Sequence, residues 1–153
     1  MIEIGASVPD LHGTIQDAST LRLRDLRGRH VALYFYPKDN TAGCTRQAQD
    51  LRDLHAELTR AGCVVVGVSR DSVASHRRFA EKHALPFALV ADTDETWCRA
   101  FDVIHEKTLY GRRYLGVVRS TFLIAPDGTL AAAWRNVKVP GHAAAVLDHL
   151  ARA

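Results

Sequence analysis

The chain has 153 residues, 47% hydrophobic and 24% charged, with a formal net charge of +3 at pH 7; that is the size of one domain with its own core and the makeup of an ordinary globular protein. No segment approaches the roughly 18 consecutive apolar residues that a membrane span needs, so no membrane role is expected. The basic residues, 16 Arg and 4 Lys, are interspersed with acids, as in "LRLRDLRGRH", whereas a nucleic-acid footprint would be a clustered basic face.

The N-terminal "MIEIGASVPDLHG" lacks the basic-then-apolar run of a secretory or transit peptide, which points to the cytoplasm. Alternating elements follow. "HVALYFYP", residues 30–37, is β-branched and aromatic and ends in Pro, the pattern of a buried strand. From Cys44 onward, Ala48, Leu51, Leu54, His55 and Leu58 recur at spacings of three and four, predicting a helix to about Arg60.

"CVVVGVS" reads as a second buried strand and "SVASHRRFAEKHAL" as a second helix, with Asp71 or Ser72 as its N-cap and Pro86 beyond its end. "FALVAD" is a third strand and "DETWCRAFDV" a short helix. "STFLIAPDGTLAAAWR" is a hairpin turning at Pro126-Asp127-Gly128, and "GHAAAVLDHLARA" is a closing helix. The β-α-β-α order implies parallel strands with right-handed crossovers. The expectation is one α/β domain over residues 1–153, its central mixed sheet parallel at first, antiparallel at the end, and flanked by helices.

Cys44 stands where a strand and a short loop meet the start of a helix. Unsatisfied N–H groups and the helix dipole there favour an anion, so the position suits a thiolate. Thr41, three residues earlier, could set its hydroxyl beside the sulfur, donating to it and accepting from a bound hydroxyl. Pro37 would close the other end of the loop and shield the sulfur from water. Three cysteines, Cys44, Cys63 and Cys98, lie far apart in sequence, which fits neither a disulfide framework nor paired zinc ligands.

"YFYPKDNTAGCT" resembles the P-x-x-x-T-x-x-C signature of the peroxiredoxins. With "GVSRDSVASHRRFAEKHALPFALVAD" and "RSTFLIAPDG", the chain resembles the Q subfamily, also called bacterioferritin comigratory proteins, from about Gly5 to the C-terminus. The resemblance implies a thioredoxin-like fold and a thiol-dependent peroxidase acting on hydrogen peroxide and organic hydroperoxides. It makes Cys44 the peroxidatic nucleophile, Thr41 and Pro37 the shapers of its pocket, and Arg119 the cation that holds first the thiolate and then the developing charge. Gln47, one turn into the helix, either orders the loop or is a plain solvated residue, and Tyr36 is expected to pack beside the pocket.

The chain departs from its relatives at the resolving cysteine. Both positions the family uses are vacant, held here by Gln49 and Ala80. Cys63 begins an apolar strand and Cys98 sits between Trp97 and Arg99, so both read as packing thiols. A one-cysteine cycle is therefore expected, reduced by thioredoxin, glutaredoxin or a small thiol, in a monomer without a bound cofactor. The alternative inside the class is a two-cysteine cycle using Cys98 or Cys63 after local unfolding.

Other readings are weaker. A thioredoxin-type oxidoreductase needs a second Cys where Gln47 stands. A metal site is not expected, because His76 with His83 and His142 with His149 lie seven apart on helix faces that read as polar and solvated. A non-catalytic binding or holdase module on the same scaffold would not need Thr41, Cys44 and Arg119 together.

Overall fold

In the computed structural model, which describes residues 1–152, the chain opens with an antiparallel ribbon, β1 (His12–Thr14) and β2 (Thr20–Arg22), and a 3₁₀ turn over Leu23–Leu26. It then alternates through β3 (His30–Phe35), α1 (Ala42–Asp53), α2 (His55–Arg60), β4 (Cys63–Ser69), α3 (Val73–His83), β5 (Ala88–Ala91) and α4 (Thr96–Ala100). A hairpin of β6 (Ile104–Leu109) and β7 (Arg112–Val117) precedes β8 (Ser120–Ile124), β9 (Leu130–Trp134) and α5 (His142–Ala151). The expected closing helix included Ala153, which lies outside the described residues.

Five strands form the central sheet in the order β5-β4-β3-β8-β9. Strands β3, β4 and β5 are parallel, while β8 runs antiparallel to β3 and β9 antiparallel to β8. This is the mixed sheet expected from the sequence, in a thioredoxin-like α/β fold. Strand β3 is buried on both faces, and its pleat divides its side chains between two cores. Ala32 and Tyr34, with Tyr36 just beyond, face Cys44, Leu51, Phe79 and Val146 of the helices on one side. Val31, Leu33 and Phe35 face Trp97, Cys98 and Phe101 on the other.

Two expectations are corrected, and one element is new. The helix from Cys44 does not run unbroken to Arg60, because Leu54 leaves helical geometry (φ −99°, ψ 4°) and separates α1 from α2. The β6–β7 hairpin has no counterpart in the sequence reading. Both strands project from the body with mostly exposed residues, so no buried face imposes an alternation of apolar and polar positions. The four helical histidines are not uniformly solvated: His76 and His142 are buried, whereas His83 is half-buried and His149 exposed. His76 shares its face with Phe79 and Ala80, and His142 packs beside Ala143 and Val146. The side chain of Ser72, rather than Asp71, caps α3 by accepting from the N–H of Ser75 at 3.1 Å.

Gly67 of β4 pairs with Tyr34 of β3 and Leu89 of β5. A Cβ at this position would stand 2.8 Å from Leu89 Cδ2 and 2.9 Å from the Tyr34 ring, so the glycine lets that ring lie flat. Tyr34 in turn stacks on Tyr36 with centroids 5.4 Å apart. Gly67→Ala is expected to cost about 1–3 kcal/mol through overpacking. In a thermal melt that corresponds to a Tm lowered by roughly 2–10 °C, and an unchanged Tm would show that the ring has room to move.

Candidate active site

Helix α1 has Thr41 at its N-cap, in extended conformation, and the Thr41 carbonyl accepts from the N–H of Thr45 at 2.9 Å. Cys44 is thus the third residue of the first turn, beside N–H groups that have no partner within the helix. The buried positions are Cys44, Gln47, Ala48 and Leu51, the spacing that turns one helical face inward. Cys44 is only 2% exposed.

Arg119 reaches this turn from another part of the chain. Phe35 at the end of β3 pairs with Ser120 at the start of β8, so the residue before Ser120 lies at the edge of the sheet from which the Pro37 loop departs. Its Nη2 donates to Cys44 Sγ at 3.3 Å, and its Nη1 donates to Gln47 Oε1 at 2.6 Å. Gly43 makes room for the guanidinium, since a Cβ there would lie 3.2 Å from Nη2. Gln47 is therefore not a solvated residue: it is 2% exposed, braces Arg119 with its carbonyl, and leaves a buried Nε2 without a partner.

Thr41 is close in sequence but differs from expectation in its hydrogen bonding. Its hydroxyl donates to Lys38 O at 2.8 Å, so the proton that was expected on the sulfur is already engaged. The hydroxyl oxygen keeps its lone pairs for an incoming donor. Pro37, half-buried, follows β3 and starts the loop.

The loop also holds a residue that the sequence reading missed. Asp39 is 4% exposed, and its carboxylate accepts from Tyr36 Oη at 2.6 Å, Ser75 Oγ at 2.8 Å and His76 Nδ1 at 2.7 Å. Burial would push this carboxyl up, but the hydrogen bonds and charge of His76, with help from Tyr36 and Ser75, hold it below the usual carboxylate value. An Asp within "PKDNT" reads as a solvated loop residue. The signal that could have revealed the network was His76, three and four residues before Phe79 and Ala80 on the inward face of α3.

Asp39, Asp71 and His76 bring ligand-type atoms within 4.8 Å of one another. Each is already partnered: Asp71 Oδ2 accepts from Ser69 Oγ at 2.6 Å and from the Asp39 N–H at 3.0 Å. His76 Nε2 lies 3.1 Å from Val90 O. The group is a closed hydrogen-bond network rather than a set of lone pairs converging on an ion.

The other cysteines are remote from Cys44. Cys98 belongs to the core on the opposite face of the sheet. Cys63 shares the Cys44 face but pairs with His30, the first residue of β3, and five strand residues separate it from the Cys44 end, about 16 Å. Burial pushes the Cys63 thiol up to about 11. Burial, and then the hydrogen bond and charge of Asp92, push Cys98 far above the ordinary thiol value. All three cysteines are free.

Comparison with known proteins gives the family. The AhpC/TSA family profile matches residues 4–133. Peroxiredoxin Bcp of Xanthomonas campestris pv. campestris is 48% identical over 150 residues, 98% of this chain and 94% of that protein. Peroxiredoxin Bcp of Bacillus subtilis is 46% identical over 149 residues, covering 97% of this chain and 95% of its own length. Among solved structures, the Xanthomonas campestris bacterioferritin comigratory protein, described for its alkyl peroxide reduction activity, superposes with a TM-score of 0.91 at 47% identity, over 99% of this chain and 97% of that one. With the family profile over residues 4–133, near full-length identity to these relatives and a TM-score of 0.91, the chain belongs to the AhpC/TSA family, as a peroxiredoxin of the Bcp, or Q, group.

Proposed function

We propose that this thiol peroxidase reduces hydrogen peroxide and organic hydroperoxides at Cys44, in a one-cysteine cycle completed by an external thiol. The observation that carries the reading is the 3.3 Å contact from Arg119 Nη2 to Cys44 Sγ, braced by Gln47, at the first turn of α1. A thiolate there attacks one peroxide oxygen; the S–O bond forms as the O–O bond breaks, giving Cys44 sulfenic acid and an alkoxide or hydroxide that takes up a proton. Negative charge moves from sulfur to the leaving oxygen, and the fixed guanidinium, cationic throughout, can follow it with its several N–H donors. Thr41 supplies an acceptor for the peroxide O–H, while Pro37 and Tyr36 wall the pocket.

The regeneration half follows from where the other thiols lie. A disulfide needs Cα atoms within about 7 Å, a separation that the opposite sheet face for Cys98 and the far strand end for Cys63 do not favour. Protonated, buried thiols are also poor attackers. An external thiol instead displaces water from the sulfenic acid to give a mixed disulfide, and a second thiol releases Cys44 and leaves as the disulfide. Thioredoxin, glutaredoxin or a low-molecular-weight thiol would each supply these two electrons. As parts of the same proposal, residues 1–153 act as one domain, a monomer in the cytoplasm; among the described residues no helix is long and apolar enough to cross a membrane.

Treating reduced protein with one equivalent of hydrogen peroxide in the presence of a sulfenic-acid trap should place an adduct on Cys44, and none in Cys44→Ser. The double variant Cys63→Ser, Cys98→Ser should keep peroxide turnover within about twofold of the parent. A Cys44 bridge to either thiol, seen as loss of two hydrogens in the intact mass, would sink the one-cysteine cycle.

Replacing the cation tests the electrostatic part. Arg119→Ala is expected to slow the second-order oxidation of Cys44 by roughly 10²–10³-fold, the scale of removing one donor from a developing charge. Arg119→Lys keeps the charge but loses the fork that spans Sγ and Gln47, so it should recover only part of that rate. Stopped-flow measurement of both variants decides the matter, and wild-type rates in Arg119→Ala would remove the arginine from the mechanism.

A further inference from the structure

The loop from Pro37 to Thr41 is joined to the body of the protein through one buried side chain. Lys38, Asn40 and Thr41 are exposed, Pro37 has no N–H, and the Thr41 hydroxyl bonds only within the loop. Asp39 is different. Oδ1 accepts from Tyr36 at the end of β3, Oδ2 accepts from Ser75 and His76 on α3, and the backbone N–H donates to Asp71 in the turn before α3. His76, 0% exposed, continues the chain of contacts to Val90 O of β5. Asp39 Oδ2 can only accept, so the ring meets it with Nδ1–H, while Nε2 lies 3.1 Å from Val90 O and 3.3 Å from Ser69 Oγ. A buried carboxylate that loses one of its donors keeps an unmet acceptor away from water, so this contact is costly to break from one side.

Cys44 at 2% exposure has two visitors of unlike size. A peroxide needs only a narrow opening. A thiol must bring a sulfur with its substituents in line behind the S–O bond of the sulfenic acid, for which a Cys44 only 2% exposed leaves little room. We propose that the Asp39–His76 pair is the positioning clamp of the Pro37–Thr41 loop and sets the balance between the two half-reactions: clamped, the pocket favours attack on peroxide, and released, it admits the reducing thiol. The clamp acts on Cys44 only through the loop, and the inference rests on the peroxidase reading above.

The test follows the halves separately in the full chain. Reduced protein is mixed with hydrogen peroxide to obtain the second-order rate of Cys44 oxidation. Protein carrying the sulfenic acid, made with one equivalent of peroxide, is mixed with 2-nitro-5-thiobenzoate, and formation of the mixed disulfide with release of water is followed by loss of colour. In His76→Leu the first rate should fall and the second rise, each by about tenfold, the scale of a lost buried hydrogen bond. His76→Asn, whose amide N–H can stand where Nδ1–H does, should return both rates toward wild type, and His76→Gln, which reaches past Asp39, should not.

Loss of packing alone cannot give opposite signs with rescue by Asn only. Rates that fall together, or remain unchanged in His76→Leu, overturn the clamp. If His76→Leu does not fold, Ser75→Ala, which removes one donor to Oδ2 from a half-buried site, should show the same split at about threefold, and no split there overturns the proposal equally. Wild-type protein that does not consume peroxide would refute the peroxidase reading instead, which separates the two failures.

Discussion

Strand β3 lies between β4 in parallel register and β8 in antiparallel register, and the meeting of Cys44 with Arg119 follows from that constraint. The parallel pairing requires the chain to leave the end of β3 and return through a helix, so α1 begins beside the edge at which β3 stops. The antiparallel pairing brings the start of β8 to the same edge, and with it Arg119. A thiol at the third position of a helix and a guanidinium distant in sequence thus meet because both are attached to neighbouring strand ends. The meeting of Cys44 with Arg119 therefore does not depend on the placement of a long loop.

The same edge has to solve an electrostatic problem. A sulfur that is almost wholly buried would be costly to charge, since desolvation opposes the thiolate. Three features act in the other direction: the free N–H groups of the first turn, the helix dipole and the guanidinium at hydrogen-bond distance. Gln47 then acts on the cation instead of the anion, fixing the plane of the guanidinium so that the donor facing the sulfur stays there. Cys63 lies in a strand, and Cys98, although third in α4 as Cys44 is in α1, has the Asp92 carboxylate beside it where Cys44 has a guanidinium; burial and, for Cys98, that carboxylate push both thiols up. Burial is common to all three thiols, and what distinguishes Cys44 is its polar surroundings.

Periodicity and residue type are enough to read β3, β4 and α3, because "HVALYF", "CVVVGVS" and the face carrying Phe79 and Ala80 are each dictated by burial. The Thr41-to-Cys44 spacing and the start of α1 are equally local, and so is the candidate nucleophile. Arg119 is legible only through its "RSTF" context, since nothing local announces that a strand start will meet a helix start 75 residues away. The β6–β7 hairpin shows the opposite limit. Its Tyr110-Gly111 turn, with φ of 51° and 77°, is the two-residue kind that joins antiparallel strands, but exposed faces leave no alternation to detect. His76 and Asp39 are hidden for a third reason: a buried polar pair looks like surface until both partners are placed.

In the one-cysteine cycle proposed above, a chain with Gln49 and Ala80 where a second cysteine could stand offers its sulfenic acid no internal partner, and this changes what its scaffold must do. When the resolving thiol belongs to the same chain, its effective concentration is set by the fold; here it is set by whatever thiol diffuses in. If the closed loop is the dominant state, the rate of reduction scales with the small fraction of molecules that are open, just as apparent affinity scales with the competent fraction in any two-state equilibrium. Tight closure gives fast oxidation and slow recovery; loose closure gives the reverse. Ala80 lies one turn beyond His76 on the same buried face of α3, so the helix that lacks the second thiol is also the helix that grips the loop through Asp39. In this chain α3 has no sulfur to offer Cys44, and the connection it does have is a hydrogen-bonded one, from the His76 ring to the Asp39 carboxylate to the loop that leads into α1.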